Sequence, residues 1–200
     1  MTEQTEQNPD HRVGPVGNTK PAALPNDSFW VIPGLLLAGP YPGSLKKDLA
    51  QRTLTELLQT GVTTFIDLTE ERETALQGKP LYPYAPLLRE IAAERGVDVS
   101  YLRFEIRDVS VPPVWKMEAI IAAIEIAIAS GEAVYVHCLG GVGRTGTVLG
   151  CYGIHSGASA EQVLPELAEL RRHTGRATTS SPETSEQRDF VTNWRAPSIG

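Results

Sequence analysis

Apolar positions along this chain recur in two rhythms, one of period two and one of three to four residues, and each switch between them marks an element boundary. Phe29-Trp30-Val31-Ile32 and Leu35-Leu36-Leu37-Ala38 flank the turn dipeptide Pro33-Gly34, which predicts a β-hairpin or bent strand pair. Ser44 stands where a helix N-cap belongs, ahead of Leu45, Leu49, Leu54, Leu57 and Leu58 at helical spacing, and Gly61 supplies the stop. Residues 62–68 read as a strand, 81–95 as a helix carrying Tyr84, Leu87, Leu88 and Ile91, and 97–106 as an alternating strand. Met117, Ile120, Ile121, Ile124 and Ile128 predict a helix ended by Gly131. The run 133–136 suits a buried strand, and the apolar residues 147–152 suit the helix after it. Two further helices follow: 157–173, which Pro165 should start or kink, and 182–194, with Gln187, Phe190, Val191 and Trp194 as its docking stripe. Strand and helix keep alternating, so the pattern predicts an α/β domain whose central, twisted, mostly parallel sheet is flanked by helices.

Composition changes this picture at one end. Residues 1–26 are rich in Gln, Glu, Asn, Pro and Gly without apolar periodicity, a composition that cannot offset chain entropy, so a disordered arm is expected there and one domain over 27–196. Nothing in the arm resembles the apolar core of a signal peptide, and no run of 18 apolar residues occurs; a soluble, cytoplasmic monomer is the expectation. Two cysteines argue against a disulfide framework. The formal net charge is −6 and no broad basic face is visible, which weighs against nucleic acid and anionic membranes as partners. Arg171, Arg172 and Arg176 form the basic cluster late in the chain and are expected at a solvated helix C-terminus.

The chemistry concentrates in residues 137–147, His-Cys-Leu-Gly-Gly-Val-Gly-Arg-Thr-Gly-Thr, between a predicted strand and helix. Gly140, Gly141 and Gly143 let backbone amides converge on one point, and the helix N-terminus adds partial positive charge: an oxyanion site. Cys138 opens this loop and Arg144 closes it, with Leu139, Gly140, Gly141, Val142 and Gly143 between them. Inward amides and the helix dipole favour a thiolate at Cys138, while the planar Arg144 guanidinium can hold two phosphate oxygens at once. Nucleophilic attack on phosphate is the chemistry this combination implies.

The string resembles the signature of the cysteine-dependent protein tyrosine phosphatases: His-Cys, five residues, Arg, then Ser or Thr. It is most similar to the small atypical dual-specificity phosphatases, because the likeness extends to Phe29-Trp30-Val31-Ile32-Pro33-Gly34 with Leu37-Ala38-Gly39, to Asp108 ahead of Pro112-Pro113, and to Pro182-Glu183-Thr184 with Gln187. The resemblance implies the phosphatase fold of that group.

Residues just after strands in an open α/β sheet are the first place to seek partners for Cys138. Asp108 follows the strand predicted to end near Ile106, and prolines stiffen the loop beyond it; its position is also similar to that of the family's general acid. Asp67-Leu68-Thr69-Glu70-Glu71 is the other acidic candidate, with Glu70 and Glu71 read as a solvated run. His137 is expected to orient the loop. Thr145 either donates its hydroxyl to the sulfur anion, as the resemblance also implies, or caps the helix. Gln187 either positions a water or is an ordinary exposed helical residue, and Cys151 is either core or a resolving thiol.

The expected reaction is two-step phosphoryl transfer through a cysteinyl phosphate, with Asp108 as acid and then base, and no metal or other cofactor. No lysine lies in the loop, unlike in the inositol-lipid phosphatases of this superfamily, and the pocket-deepening segments of the larger tyrosine-specific enzymes are missing. A phosphoprotein or phosphopeptide substrate is therefore expected, phosphotyrosine preferred over phosphoserine and phosphothreonine. A phosphate-binding module without turnover, an RNA 5′-phosphatase and an inositol phosphate phosphatase are the alternatives.

Overall fold

The computed structural model describes residues 24–75 and 78–195. Five strands and six helices follow one another in the order β1 (Phe29–Ile32), β2 (Leu36–Gly39), α1 (Lys47–Gln59), β3 (Val62–Asp67), α2 (Ala85–Glu94), β4 (Ser100–Arg103), α3 (Val114–Ala129), β5 (Ala133–His137), α4 (Gly143–His155), α5 (Ala160–Leu170) and α6 (Ser185–Thr192). The strands form one sheet in the order β1-β2-β5-β3-β4, in which only β1 and β2 pair antiparallel. The α/β class and the mostly parallel sheet are as the alternating pattern predicts. Among the described residues, no helix is long and apolar enough to cross a membrane.

β5 is central and wholly buried, and its side chains serve the two faces in turn. Val134 and Val136 join Met117, Ile120, Ile124, Val148, Leu149 and Val163 from α3, α4 and α5 in one core. Ala133 and Tyr135 join Leu54, Leu57, Leu88 and Ile91 from α1 and α2 in the other. The sheet is thus covered on both sides, and the carboxyl end of its central strand delivers His137 and Cys138 to a rim built from loops.

Several boundaries differ from the sequence expectation. Ser44 does not cap α1: its hydroxyl accepts from the Lys46 amide, the helix begins at Lys47, and Leu45 and Leu49 are exposed. Pro83 disfavours helical backbone at Tyr82, and α2 starts at Ala85 with Pro86 in its first turn, where the missing amide has no intrahelical acceptor to lose. The alternating run 97–106 pairs as a strand only over β4; beyond it the chain still bonds the end of β3, Phe104 N to Asp67 O and Ile106 N to Leu68 O, while turning toward the rim. Pro165 lies inside α5, which starts instead at Ala160 behind a capping box of Ser159 and Gln162. The expected arm, residues 1–26, lies outside the described residues except at its end. There Leu24 packs against the α1–α2 core and Pro25–Asp27 form a short 3-10 turn, so the domain's contacts begin earlier than composition suggests.

Candidate active site

Between β5 and α4 the chain makes the tight passage that the glycine run anticipates. Gly141 has φ +67, and a Cβ there would meet the carbonyl carbon and oxygen of Gly39 at 2.5 and 2.6 Å, so no other residue fits without moving β2. The Tyr41 amide donates to Leu139 O at 3.1 Å and ties the loop to the neighbouring strand's exit. α4 begins at Gly143, so the first-turn amides that have no intrahelical acceptor face the same side as the loop. Cys138, 3% exposed, opens into a pocket of about 400 Å³ with Leu139, Gly140, Val142 and Gly143 on one wall and Ala75 and Asp108 on another.

Arg144 is 1% exposed and held from several directions. Glu73 accepts from it through both oxygens, Oε2 from Nη1 at 2.5 Å and Oε1 from Nη2 at 2.7 Å. Nη1 also donates to Ile106 O at 3.0 Å, and Nη2 lies 2.9 Å from Asp108 Oδ1. Burial works against the charge, but the Glu73 hydrogen bonds and the fields of Cys138, Glu73 and Asp108 outweigh it and raise the guanidinium's pKa further. Nε is buried and has no protein acceptor, which leaves one edge of the fork for an anion in the loop.

His137, fully buried, sits behind the cysteine in an aromatic cage of Tyr41, Tyr84 and Tyr135. Burial first, with the Arg144 and Arg103 charges, lowers its pKa against the opposing effects of Asp67 and the Cys138 carbonyl, so the ring is neutral. The Tyr84 hydroxyl, whose own pKa burial drives far up, donates to Nε2 at 2.6 Å, and Nδ1–H then faces Cys138 O at 3.3 Å. Asp67 completes the network behind it. Burial raises its pKa, yet hydrogen bonds from Thr69 and Tyr101 help to lower it overall. His137 therefore fixes the backbone of the loop and has no exposed proton to transfer.

The structure brings Cys138, Asp108, Leu139, Gly140, Val142 and Gly143 together at one pocket; Arg144 stands behind it against Asp108, Gly141 packs on Gly39, and Thr145 follows in α4. The Thr145 hydroxyl is buried and bonds nothing, so it does not cap α4. Gln187 is buried, not exposed, against Gly143 of the pocket wall: its Oε1 accepts from the Glu183 and Thr184 amides and its Nε2 donates to Ser110 O at 3.1 Å. Its carbonyl oxygen caps α6 and one of its two Nε2–H groups holds the Asp108 loop, a positioning role. Cys151 is free and wholly buried in the core, and burial raises the pKa of its thiol. Asp67 is buried and committed to Thr69, Tyr101 and Arg103, and Glu70 and Glu71 are exposed.

Glu73, Arg176 and Glu183, to which the sequence assigns no part in the pocket, stand at the site, with Arg171 behind Arg176. Glu73 stands two positions beyond the run taken as solvated, and the turn after β3 carries it back onto Arg144. Arg176 lines the pocket beside Gly140, where a Cβ would come within 2.4 Å of its Nη1. Arg171 builds that loop rather than capping a helix in solvent: it is 2% exposed and donates to Thr179 O and Arg176 O. Glu183 lines the pocket too, beside Gly143.

A family profile described as "Tc-R-P: Polymorphic toxin system, DSP-PTPase phosphatase" matches residues 43–158, more than half of the chain and all of the Cys138–Arg144 loop. The chain belongs to this DSP-PTPase phosphatase family. A protein of Invertebrate iridescent virus 3 named as a tyrosine phosphatase, 067L, is 29% identical over 101 residues; the match covers 48% of this chain and 36% of the viral protein, so the chain spans about a third of that relative's length. Tk-PTP in its active form superposes with a TM-score of 0.57 at 25% identity, over 78% of this chain and 88% of that one. PTPMT1, in complex with PI(5)P, does so with a TM-score of 0.59 at 23% identity, over 80% and 90%. These phosphatase folds share the single α/β domain described above.

Proposed function

We propose that this DSP-PTPase family member hydrolyses phosphate monoesters on proteins, phosphotyrosine first and phosphoserine or phosphothreonine with it, through a cysteinyl-phosphate intermediate. The observation that supports this reading is that Cys138 and Asp108 line one pocket, with Asp108 Oδ1 2.9 Å from the Arg144 guanidinium, whose Nε has no acceptor among the described residues. Its apolar wall of Ala75, Leu139 and Val142 suits an aryl ring. Cys138 Sγ, as thiolate, attacks phosphorus while the bond to the leaving oxygen breaks. The amides of residues 139–143 and Arg144 hold the equatorial oxygens, whose charge grows in the transition state. As the phosphate takes over the guanidinium, Asp108 turns from Arg144, takes up a proton from solvent and gives it to the leaving oxygen. Water then attacks the cysteinyl phosphate, Asp108 takes the water's proton, and the Thr145 hydroxyl donates to the departing sulfur.

Residues 27–196 form the working unit, a monomer in the cytoplasm. The support for that compartment is the pair of unbridged cysteines, since a nucleophilic thiol persists where glutathione keeps it reduced.

Arg176 favours a second reading. A further guanidinium in the pocket would meet a second anionic group, which an inositol phosphate carries. Steady-state turnover of a phosphotyrosine peptide, an inositol polyphosphate and 5′-triphosphorylated RNA decides between them. The highest kcat/KM is expected on the peptide; a higher value on the inositol phosphate replaces the first reading, and turnover of none makes the chain a phosphate-binding module.

A further inference from the structure

The sheet face covered by α3–α6 carries a groove that the catalytic reading does not use. Helices α3 and α6 each pack against α4, and the space between them holds two cavities of about 460 and 280 Å³ that share Trp194 as a wall. The floor is apolar, with Val111, Val114, Phe190 and Trp194, and Val114 is 54% exposed. Two polar atoms at this floor lack partners: the indole Nε1 of Trp194, a residue only 4% exposed, and the buried Nδ1 of His155.

Both rims are acidic. Glu118 and Glu125 of α3 line one side, Glu186 and Asp189 of α6 the other. Glu125 pairs with His155 at 3.0 Å, while none of the other three carboxylates has a cationic partner among the described residues. Arg195 at the groove's end donates to the Thr192 and Trp194 carbonyls. Four carboxylates around the two cavities give the groove a negative potential, which the cations of an occupant would meet.

We propose that this groove docks a basic amphipathic segment of a partner protein. Its apolar stripe covers Val114, Phe190 and Trp194, and its Lys or Arg side chains reach the carboxylates of the two rims. The chain's own residues 1–23 do not match, since they carry only Arg12 and Lys20 as cations and no apolar stripe. An anionic membrane surface is repelled by the same carboxylates. Val111 and Val114 follow Asp108 closely, and Gln187 ties α6 to Ser110, so an occupant bears on the catalytic loop from its far end.

The test needs no turnover and so stands or falls apart from the catalytic reading. Two peptides of about 15 residues share one leucine stripe, with lysine at the polar positions of the first and glutamate at those of the second. Each is titrated into the full chain, labelled with ¹⁵N, while peptide anisotropy and the indole resonance of Trp194, assigned by its loss in Trp194→Phe, are followed. The lysine peptide is expected to saturate and to shift that resonance, and the glutamate peptide to do neither. The rim variant Glu118→Gln/Glu125→Gln/Glu186→Gln/Asp189→Asn, which leaves the floor intact, should weaken the lysine peptide by about tenfold or more. A lysine peptide that fails to saturate, leaves the Trp194 resonance in place, or binds the rim variant as tightly as the wild type overturns the proposal.

Discussion

Glu73 grips Arg144 through both carboxylate oxygens, at 2.5 and 2.7 Å, and does so from the turn after β3, far from Arg144 in sequence. The pair is nearly dry, with side chains 6% and 1% exposed. A guanidinium held this way on one edge presents its remaining Nε at a fixed angle, which is what stabilising a transient trigonal phosphoryl group requires.

Glu73→Gln keeps the shape but loses one ionic contact, and it should cost kcat/KM on an aryl phosphate by roughly 10²-fold, the scale of a misplaced catalytic group. Removing one partner of a buried pair also costs about 3–5 kcal/mol, so the melting temperature should fall. Kinetics and a thermal melt on one sample check both, and a loss of activity under about tenfold would show that Arg144 finds its place without Glu73.

The two ends of the loop are separable by mutation. Cys138→Ser should abolish turnover while phosphate still protects the fold against heat, because amides and Arg144 bind the anion without the thiol. Arg144→Lys should also be severe despite its conserved charge, since an ammonium cannot donate in parallel to Glu73 and to phosphate. If Arg144→Lys retains more than about a tenth of wild-type kcat/KM, the planar fork is not what the reaction uses.

Cys138 and Arg144 were legible in the sequence because one short loop carries both, and the strand and helix around it have unmistakable periodicity. Asp108 was legible from its place after a strand. Glu73, Arg176 and Glu183 were not, because tertiary folding alone brings them to the pocket: a charge run looks the same whether it meets water or a guanidinium across the fold. The acidic stretch after β3 was the one available signal for Glu73. Gln187 was legible only in part, since it is buried and not an exposed helical residue. Its spacing in the α6 stripe was read correctly, but Thr184 three positions earlier made it the far member of a capping box.

His137 should give the folded state a pH dependence of definite sign. Its pKa is lowered from the ordinary 6.5, chiefly by burial, so the unfolded chain takes up a proton near 6.5 that the folded chain refuses. The stability this contributes is present above 6.5 and is lost as pH falls below it, at up to about 1.4 kcal/mol per pH unit. Asp67, whose folded pKa is also lowered, adds a loss of the same sign only below 3.8. Urea unfolding between these two windows should show the decline in the wild type and a flatter line in His137→Gln; equal slopes would place the titrating group elsewhere.

The acid is the remaining assignment, and the pocket offers two carboxylates for it once Glu73 is committed to Arg144: Asp108 and Glu183. Asp108 is favoured by its reach, since its Oδ1 lies 2.9 Å from Arg144 Nη2 while its side chain remains 57% exposed and able to turn. The loop behind it is anchored at Ser110 by Gln187, so the turn is confined to the carboxylate's own neighbourhood. Asp108→Asn should slow kcat by roughly 10²-fold or more on an ester with a poor leaving group, the scale of general acid catalysis. On an activated aryl phosphate, whose leaving group departs without a proton, the same variant should lose much less. Glu183→Gln should leave both substrates close to wild type. The contrast between substrates is the decisive reading, because a variant that merely disturbed the pocket would slow them alike. If Glu183→Gln shows the leaving-group dependence and Asp108→Asn does not, the proton comes from the α6 side of the pocket and Asp108 serves only to neutralise Arg144.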